Sequence, residues 1–146
     1  MKPIRWTYPF TVTPDDSDES GGYVVQSRDL PEAISQGDDL SEALEAAEGA
    51  LQVAIEDRLA RSEPVPDPSK AKVNEYMVPL PITTALKATL QSAMQARGMK
   101  KTELARALGL DEKEVRRMMD ANYPTKVPAL ERALSVLGKK VVLSVE

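Results

Sequence analysis

The run KTELARALGLDEKEVRRMMD, residues 101–120, restricts the fold of this chain more than any other stretch, because one glycine separates two amphipathic helical patterns. Gly109 stands where the backbone must reverse, and a residue without a Cβ enters the left-handed region at no steric cost. Before it, Leu104 and Leu108 recur at helical spacing and the small Ala105 allows a second helix to cross closely. After it, Leu110 plugs the turn and Asp111 stands as an N-cap. Glu114, three residues on, completes a capping box in which each side chain accepts the other's backbone N–H. Val115 and Met118 then point inward, leaving Glu112, Lys113, Arg116, Arg117 and Asp120 outside. The pattern predicts two short helices joined by a tight turn, a helix-turn-helix.

The surroundings extend a helical domain on both sides. Pro79 and Pro81 fence its start, and Ile82, Leu86, Leu90, Ala93 and Met94 define a longer helix that stops at Gly98. A last helix is predicted over 125–137, stopped by Gly138. Pro128 is tolerated in its first turn, where the missing N–H has no intrahelical partner. The tail 139–146 reads as a terminal β-strand with Val141, Leu143 and Val145 on one side. An isolated strand on a helical domain has no partner of its own, so these three residues are expected at a dimer contact or on a neighbouring sheet.

The first half alternates instead. Tyr8, Phe10 and Val12 share one face of a predicted strand, 7–12, and Tyr23–Gln26 forms a second across a polar, glycine-rich loop. A short third strand is expected within 32–37. Asp39 and Glu42 then cap a helix whose apolar stripe includes Ala43, Ala47, Leu51, Ile55 and Leu59. Pro64, Pro66 and Pro68 make an extended loop before a fourth strand at 72–78. The expectation is an α+β chain: a β-β-β-α-β domain at 1–79, followed by an all-α helix-turn-helix domain at 80–146 with a terminal strand.

Charge divides at the same place. Residues 1–79 carry 7 Lys/Arg against 16 Asp/Glu, and residues 80–146 carry 12 against 7. A basic half with an outward-facing helix suits a polyanion, and helix-turn-helix modules place such a helix in the DNA major groove. Lys113, Arg116 and Arg117 are the candidates for base edges or phosphates. Lys100, Lys101, Asn122, Thr125 and Lys126 lie at helix ends and loops, where phosphates are usually held. Glu112 and Asp120 oppose this by repulsion. The acidic half suits a basic partner, with Asp15, Asp16, Asp18, Glu19, Glu32 and Asp38 as candidates on charge alone.

Chemistry is constrained from the other direction. The chain has no His and no Cys, which removes the commonest general base, the commonest metal ligand and all thiol chemistry. The segment Asp16–Gly21 matches the start of a calcium loop, but Ser27 stands where a bidentate Glu is required. No catalytic residue, metal or cofactor is therefore assigned. No apolar run approaches the length of a membrane span, and a cytoplasmic protein is expected.

Taken together, YPFTVTPDDSDESGGYVVQSRDLPEAISQGDDLSEALEAAEGAL and the later helix-turn-helix resemble the HicB-type antitoxins of bacterial toxin–antitoxin operons. The resemblance implies a degenerate RNase H-like first domain that masks a small basic RNase toxin of the HicA type. It implies a second domain that binds the operon's operator DNA as a homodimer or homotetramer. Catalysis is not implied, because the predicted strands offer only Glu75 where an RNase H enzyme needs a carboxylate cluster. Two rivals stay open: a stand-alone helix-turn-helix regulator with a ligand-sensing first domain, and a carboxylate-dependent nuclease.

Overall fold

A computed structural model describes residues 3–17 and 19–146. The chain is mixed α and β, and it gathers into two compact units: Met1–Asp57 with Pro66–Pro81, and Arg58–Val65 with Ile82–Glu146. Among the described residues no helix is long and apolar enough to cross a membrane.

The first unit is a four-stranded antiparallel sheet in the order β3-β2-β1-β4, with β1 Thr7–Pro14, β2 Tyr23–Ser27, β3 Ile34–Gly37 and β4 Glu75–Pro79. The central strand β1 carries Tyr8 and Phe10, both fully buried. Val78, opposite Tyr8, and Ser27, opposite Phe10, are buried too, whereas Tyr76, the other partner of Phe10, is exposed on the edge strand β4. Helix α1, Leu40–Ala60, begins where Asp39 accepts the Glu42 N–H at 2.8 Å. Its stripe of Ala43, Ala47, Leu51, Ala54 and Ile55 is buried, and a fully buried Leu or Ile contributes about 1.5–3 kcal/mol. Two residues past the helix, Ser62 has φ 55°. Ser62 donates to the Leu59 carbonyl and Glu63 to that of Arg58, so the last carbonyls are satisfied without glycine.

The expected β-β-β-α-β order is present, with strand ends that differ for local reasons. β3 starts only at Ile34 because Ala33 N–H closes a turn onto Leu30. The fourth strand starts at Glu75 rather than 72, since Asn74 is left-handed at φ 68° and Glu75 N–H bonds back to Lys72. The extended segment before it is tied down in three places. Tyr8 Oη donates to the Pro66 carbonyl at 2.6 Å. Ser69 donates its N–H and hydroxyl to Asp29. Arg28 meets Glu75 through two 3.0 Å bonds and reaches the Lys70 carbonyl.

The second unit adds α2 Ile82–Arg97, α3 Lys101–Leu108, α4 Glu112–Met119 and α5 Val127–Val136. Its core gathers Leu86, Leu90 and Met94 from α2, Leu104 from α3, Val115 and Met118 from α4, and Leu130, Ala133 and Leu134 from α5. One expectation is corrected here. Residues 139–146 form no strand in the single chain: Val141 packs against the helical core, whereas Leu143 and Val145 are 72% and 87% exposed. A strand needs a second extended backbone alongside it, and among the described residues no strand of the sheet pairs with the tail.

Two glycines on the first unit give opposite predictions. A Cβ on Gly37 would lie 2.3 Å from the Ala43 backbone nitrogen, so Gly37→Ala should destabilise by about 1–3 kcal/mol in urea unfolding. Gly49, inside α1 with open space around it, should gain about 0.5–1 kcal/mol on change to Ala. The Arg28 hydrogen bonds, and then the Lys72 N–H, hold Glu75 below the ordinary glutamate range. That stabilisation is present above the unfolded pKa and lost as pH falls through the depressed folded value. Glu75→Gln should accordingly flatten part of the acid limb of a stability–pH curve.

Candidate nucleic-acid interface

Helix α3 ends at Gly109, φ 66°, whose N–H bonds to the Arg106 carbonyl while the Leu110 N–H reaches that of Ala105. This double closure turns the chain within a few residues. Lys100 has no acceptor for the first turn of α3, so only the return bond of a capping box forms there, Lys100 N–H to Glu103 at 3.4 Å. Helix α4 is better capped. Asp111 accepts the Lys113 N–H at 3.0 Å, and its own N–H donates to Glu114 at 3.3 Å. Leu108 and Leu110 are partly buried against the core, and Ala105 is buried, as the turn geometry demands.

With Val115 and Met118 fixed inward, the helical period of α4 leaves Glu112, Lys113, Arg116 and Arg117 exposed on its outer face. Arg117 lies over the Tyr123 ring, with the guanidinium carbon 5.6 Å from the ring centre. Such a contact restrains a flexible cation while leaving its donors available. Lys100 and Lys101 are exposed at the start of α3, Asn122 in the loop after α4, and Lys126 as the N-cap of α5. Thr125 is half-buried, with its hydroxyl toward the Tyr123 carbonyl at 3.4 Å.

One residue of this region escapes a reading of the sequence. Lys87 of α2 is only 1% exposed, and its ammonium bonds to the carbonyl oxygens of Asp120 and Tyr123. Burial pushes its pKa down, and the Asp120 charge partly opposes this. The only hint in the sequence is a lysine within an otherwise small and apolar run, TTALKATL. Tyr123 is equally unmarked, because nothing local announces that its ring will lie beneath Arg117.

The acidic candidates sit on the first unit. Asp15, Asp16 and Glu19 belong to the β1–β2 loop, where Asp15 accepts the Ser17 N–H and hydroxyl. Asp18 lies outside the described residues. Asp38 follows β3 at the same end of the sheet, because Gly37 pairs with Tyr23 and Tyr23 with Pro14. Glu32 lies in the β2–β3 connection, at the opposite end. The sheet therefore brings Asp15, Asp16, Glu19 and Asp38 to one end and leaves Glu32 apart.

An antiparallel α+β unit joined to a helical unit with an outward basic helix defines a helix-turn-helix protein of two parts. The family model described as HicB_like antitoxin of bacterial toxin-antitoxin system matches residues 7–89. The chain is 35% identical over 136 residues to Antitoxin HicB of Escherichia coli (strain K12), covering 93% of this chain and 96% of that protein. It is 33% identical over 147 residues to Antitoxin HicB of Pseudomonas fluorescens, covering 98% and 99%. Antitoxin HicB 1 of Photorhabdus laumondii is 35% identical over 139 residues, covering 95% and 86%. The chain belongs to the HicB-like antitoxins of bacterial toxin–antitoxin systems.

The cap on α4 supplies a direct test of this local structure. Asp111→Ala should cost about 0.5–2 kcal/mol in thermal unfolding, whereas Asp111→Asn should cost only a fraction of that.

Proposed function

We propose that this antitoxin acts through two separate surfaces: it neutralises a small basic RNase toxin of the HicA type by occlusion, and it represses its own operon through α4. The observation that carries the second half is the geometry of α4, a capped helix after a glycine turn that presents Lys113, Arg116 and Arg117 outward. Arg117 and Arg116 would reach bases or phosphates in the major groove, where a bidentate arginine–guanine pair is worth about 1–3 kcal/mol of discrimination. Lys100, Lys101, Asn122, Thr125 and Lys126 would hold the flanking backbone.

Support for the first half comes from charge and family membership. The acidic excess of residues 1–79 complements a basic RNase, and Asp15, Asp16, Glu19 and Asp38 share one end of the sheet. Masking needs surface complementarity and no chemistry, so this reading makes the protein a binder rather than an enzyme. A homodimer or homotetramer suits a two-fold operator, and the exposed Leu143 and Val145 of the tail are the apolar surface we assign to that contact. Pairing with a second copy would supply the hydrogen bonds that a strand at the tail requires.

The test is co-expression of the chain with the small open reading frame beside its gene, followed by purification and operator titration. Growth arrest by the neighbour alone, rescue and co-purification are expected. Arg116→Ala with Arg117→Ala should abolish operator binding while rescue persists; loss of both would defeat the assignment to separate surfaces. Operator affinity should fall by roughly a thousandfold between about 50 and 200 mM salt if about six phosphates are gripped. A flat salt response would rule out the phosphate-held complex.

A further inference from the structure

Helix α4 differs from the other helices in how its end is closed. Left-handed residues terminate α1, α2, α3 and α5 at Ser62, Gly98, Gly109 and Gly138, each with two backbone bonds returning to the last turn. Among the described residues none after α4 is left-handed before α5 begins. Asp120 is extended, at ψ 117°, and its N–H makes a single bond to the Arg117 carbonyl. Its carbonyl and those after it lie in the loop that leads to α5, where a carbonyl turned from water needs a donor. Lys87 reaches across from α2 and donates to two of them, those of Asp120 and Tyr123.

The loop 120–125 is built around those same two oxygens. The Asp120 carbonyl also accepts the Tyr123 N–H at 3.1 Å, and the Tyr123 carbonyl lies 3.4 Å from the Thr125 hydroxyl. The Asp120 carboxylate accepts the Asn122 N–H at 2.9 Å. Tyr123, held by its carbonyl, places its ring under Arg117. A continuous path of contacts therefore runs from a buried ammonium to an exposed guanidinium.

We infer that Lys87 is a positioning residue for sequence recognition: it anchors the 120–125 loop and, through Tyr123, sets the orientation of Arg117. The inference rests on the proposal that α4 binds DNA. Lys87 itself is buried and touches no ligand. A buried charge needs good hydrogen bonds to be tolerated, and the two carbonyls, which carry the negative end of peptide dipoles, supply them. A hydrocarbon side chain of the same length would fill the space but release the loop. Arg117 would then keep its charge and lose its fixed direction, so discrimination between sequences would suffer more than general attraction to phosphate.

The experiment compares binding of the full chain to two duplexes at fixed salt, one from the promoter ahead of its gene and one of random sequence. Lys87→Met is expected to remain helical by circular dichroism and to lose promoter affinity about tenfold, the weight of one well-placed arginine contact. Affinity for the random duplex should change less than about twofold, because the phosphate-holding lysines are untouched. Lys87→Arg, which keeps charge and donors, should recover part of the discrimination. Promoter affinity unchanged in a folded Lys87→Met would overturn the inference, and so would equal losses on both duplexes, which mark a structural role alone. If Lys87→Met does not fold, Tyr123→Leu tests the next link: lost discrimination supports the path, and retained discrimination breaks it. A wild-type chain that binds neither duplex, or both alike, would sink the operator reading itself, an outcome distinct from the others.

Discussion

Both units depend on one constraint: at every helix end, backbone carbonyls that have lost their intrahelical partners must find donors elsewhere. Helices α1, α2, α3 and α5 meet it by placing one residue in the left-handed region, so that its own N–H and the next one fold back onto the last turn. This fixes where each helix stops and the direction in which the chain leaves. Gly109 shows the consequence most clearly. Its closure onto Arg106 and Ala105 sends the chain into Asp111, which caps α4 within two residues. The short connection leaves little freedom between α3 and α4.

Helix α4 has no such residue, and a single return bond runs from the Asp120 N–H to the Arg117 carbonyl. Its inner face is held by Val115 and Met118 in the apolar core, and the loop that leaves it by the ammonium of a lysine from another helix. Packing and hydrogen bonding thus act at opposite sides of one short helix. The outer face is left with Lys113, Arg116 and Arg117, in the half of the chain where basic residues outnumber acidic ones. The first unit is arranged differently: an acidic surface on an antiparallel sheet, with the β1–β2 loop and Asp38 at one end. The acidic excess thus falls in one half of the chain and the basic excess in the other.

Much of this architecture is legible in the amino-acid sequence. The caps at Asp39 and Asp111, the glycine turn at 109 and the order of the elements follow from interactions within a few residues of one another. The expectations that fail do so where the deciding partner lies far off or is missing. The tail alternates like a strand, but alternation describes only side chains; the ladder needs a second backbone. The fourth strand begins late because Asn74 adopts a left-handed turn that a polar, alternating run does not reveal. Glu75, a lone carboxylate in the strand pattern, acquires its meaning from Arg28, far away in the sequence.

Local physics therefore determined the elements, the inward faces and the division of charge, because periodicity, capping and composition act over one or two turns. It also determined which basic residues face outward on α4, since burying Val115 and Met118 leaves them no other side. Only the tertiary structure decided that Lys87 is buried, that it serves the end of α4, and that Tyr123 lies beneath Arg117. The physical reason is that a lysine on a helix has the same local propensity whether its ammonium meets water or a carbonyl. Which of the two it meets depends on where another helix ends.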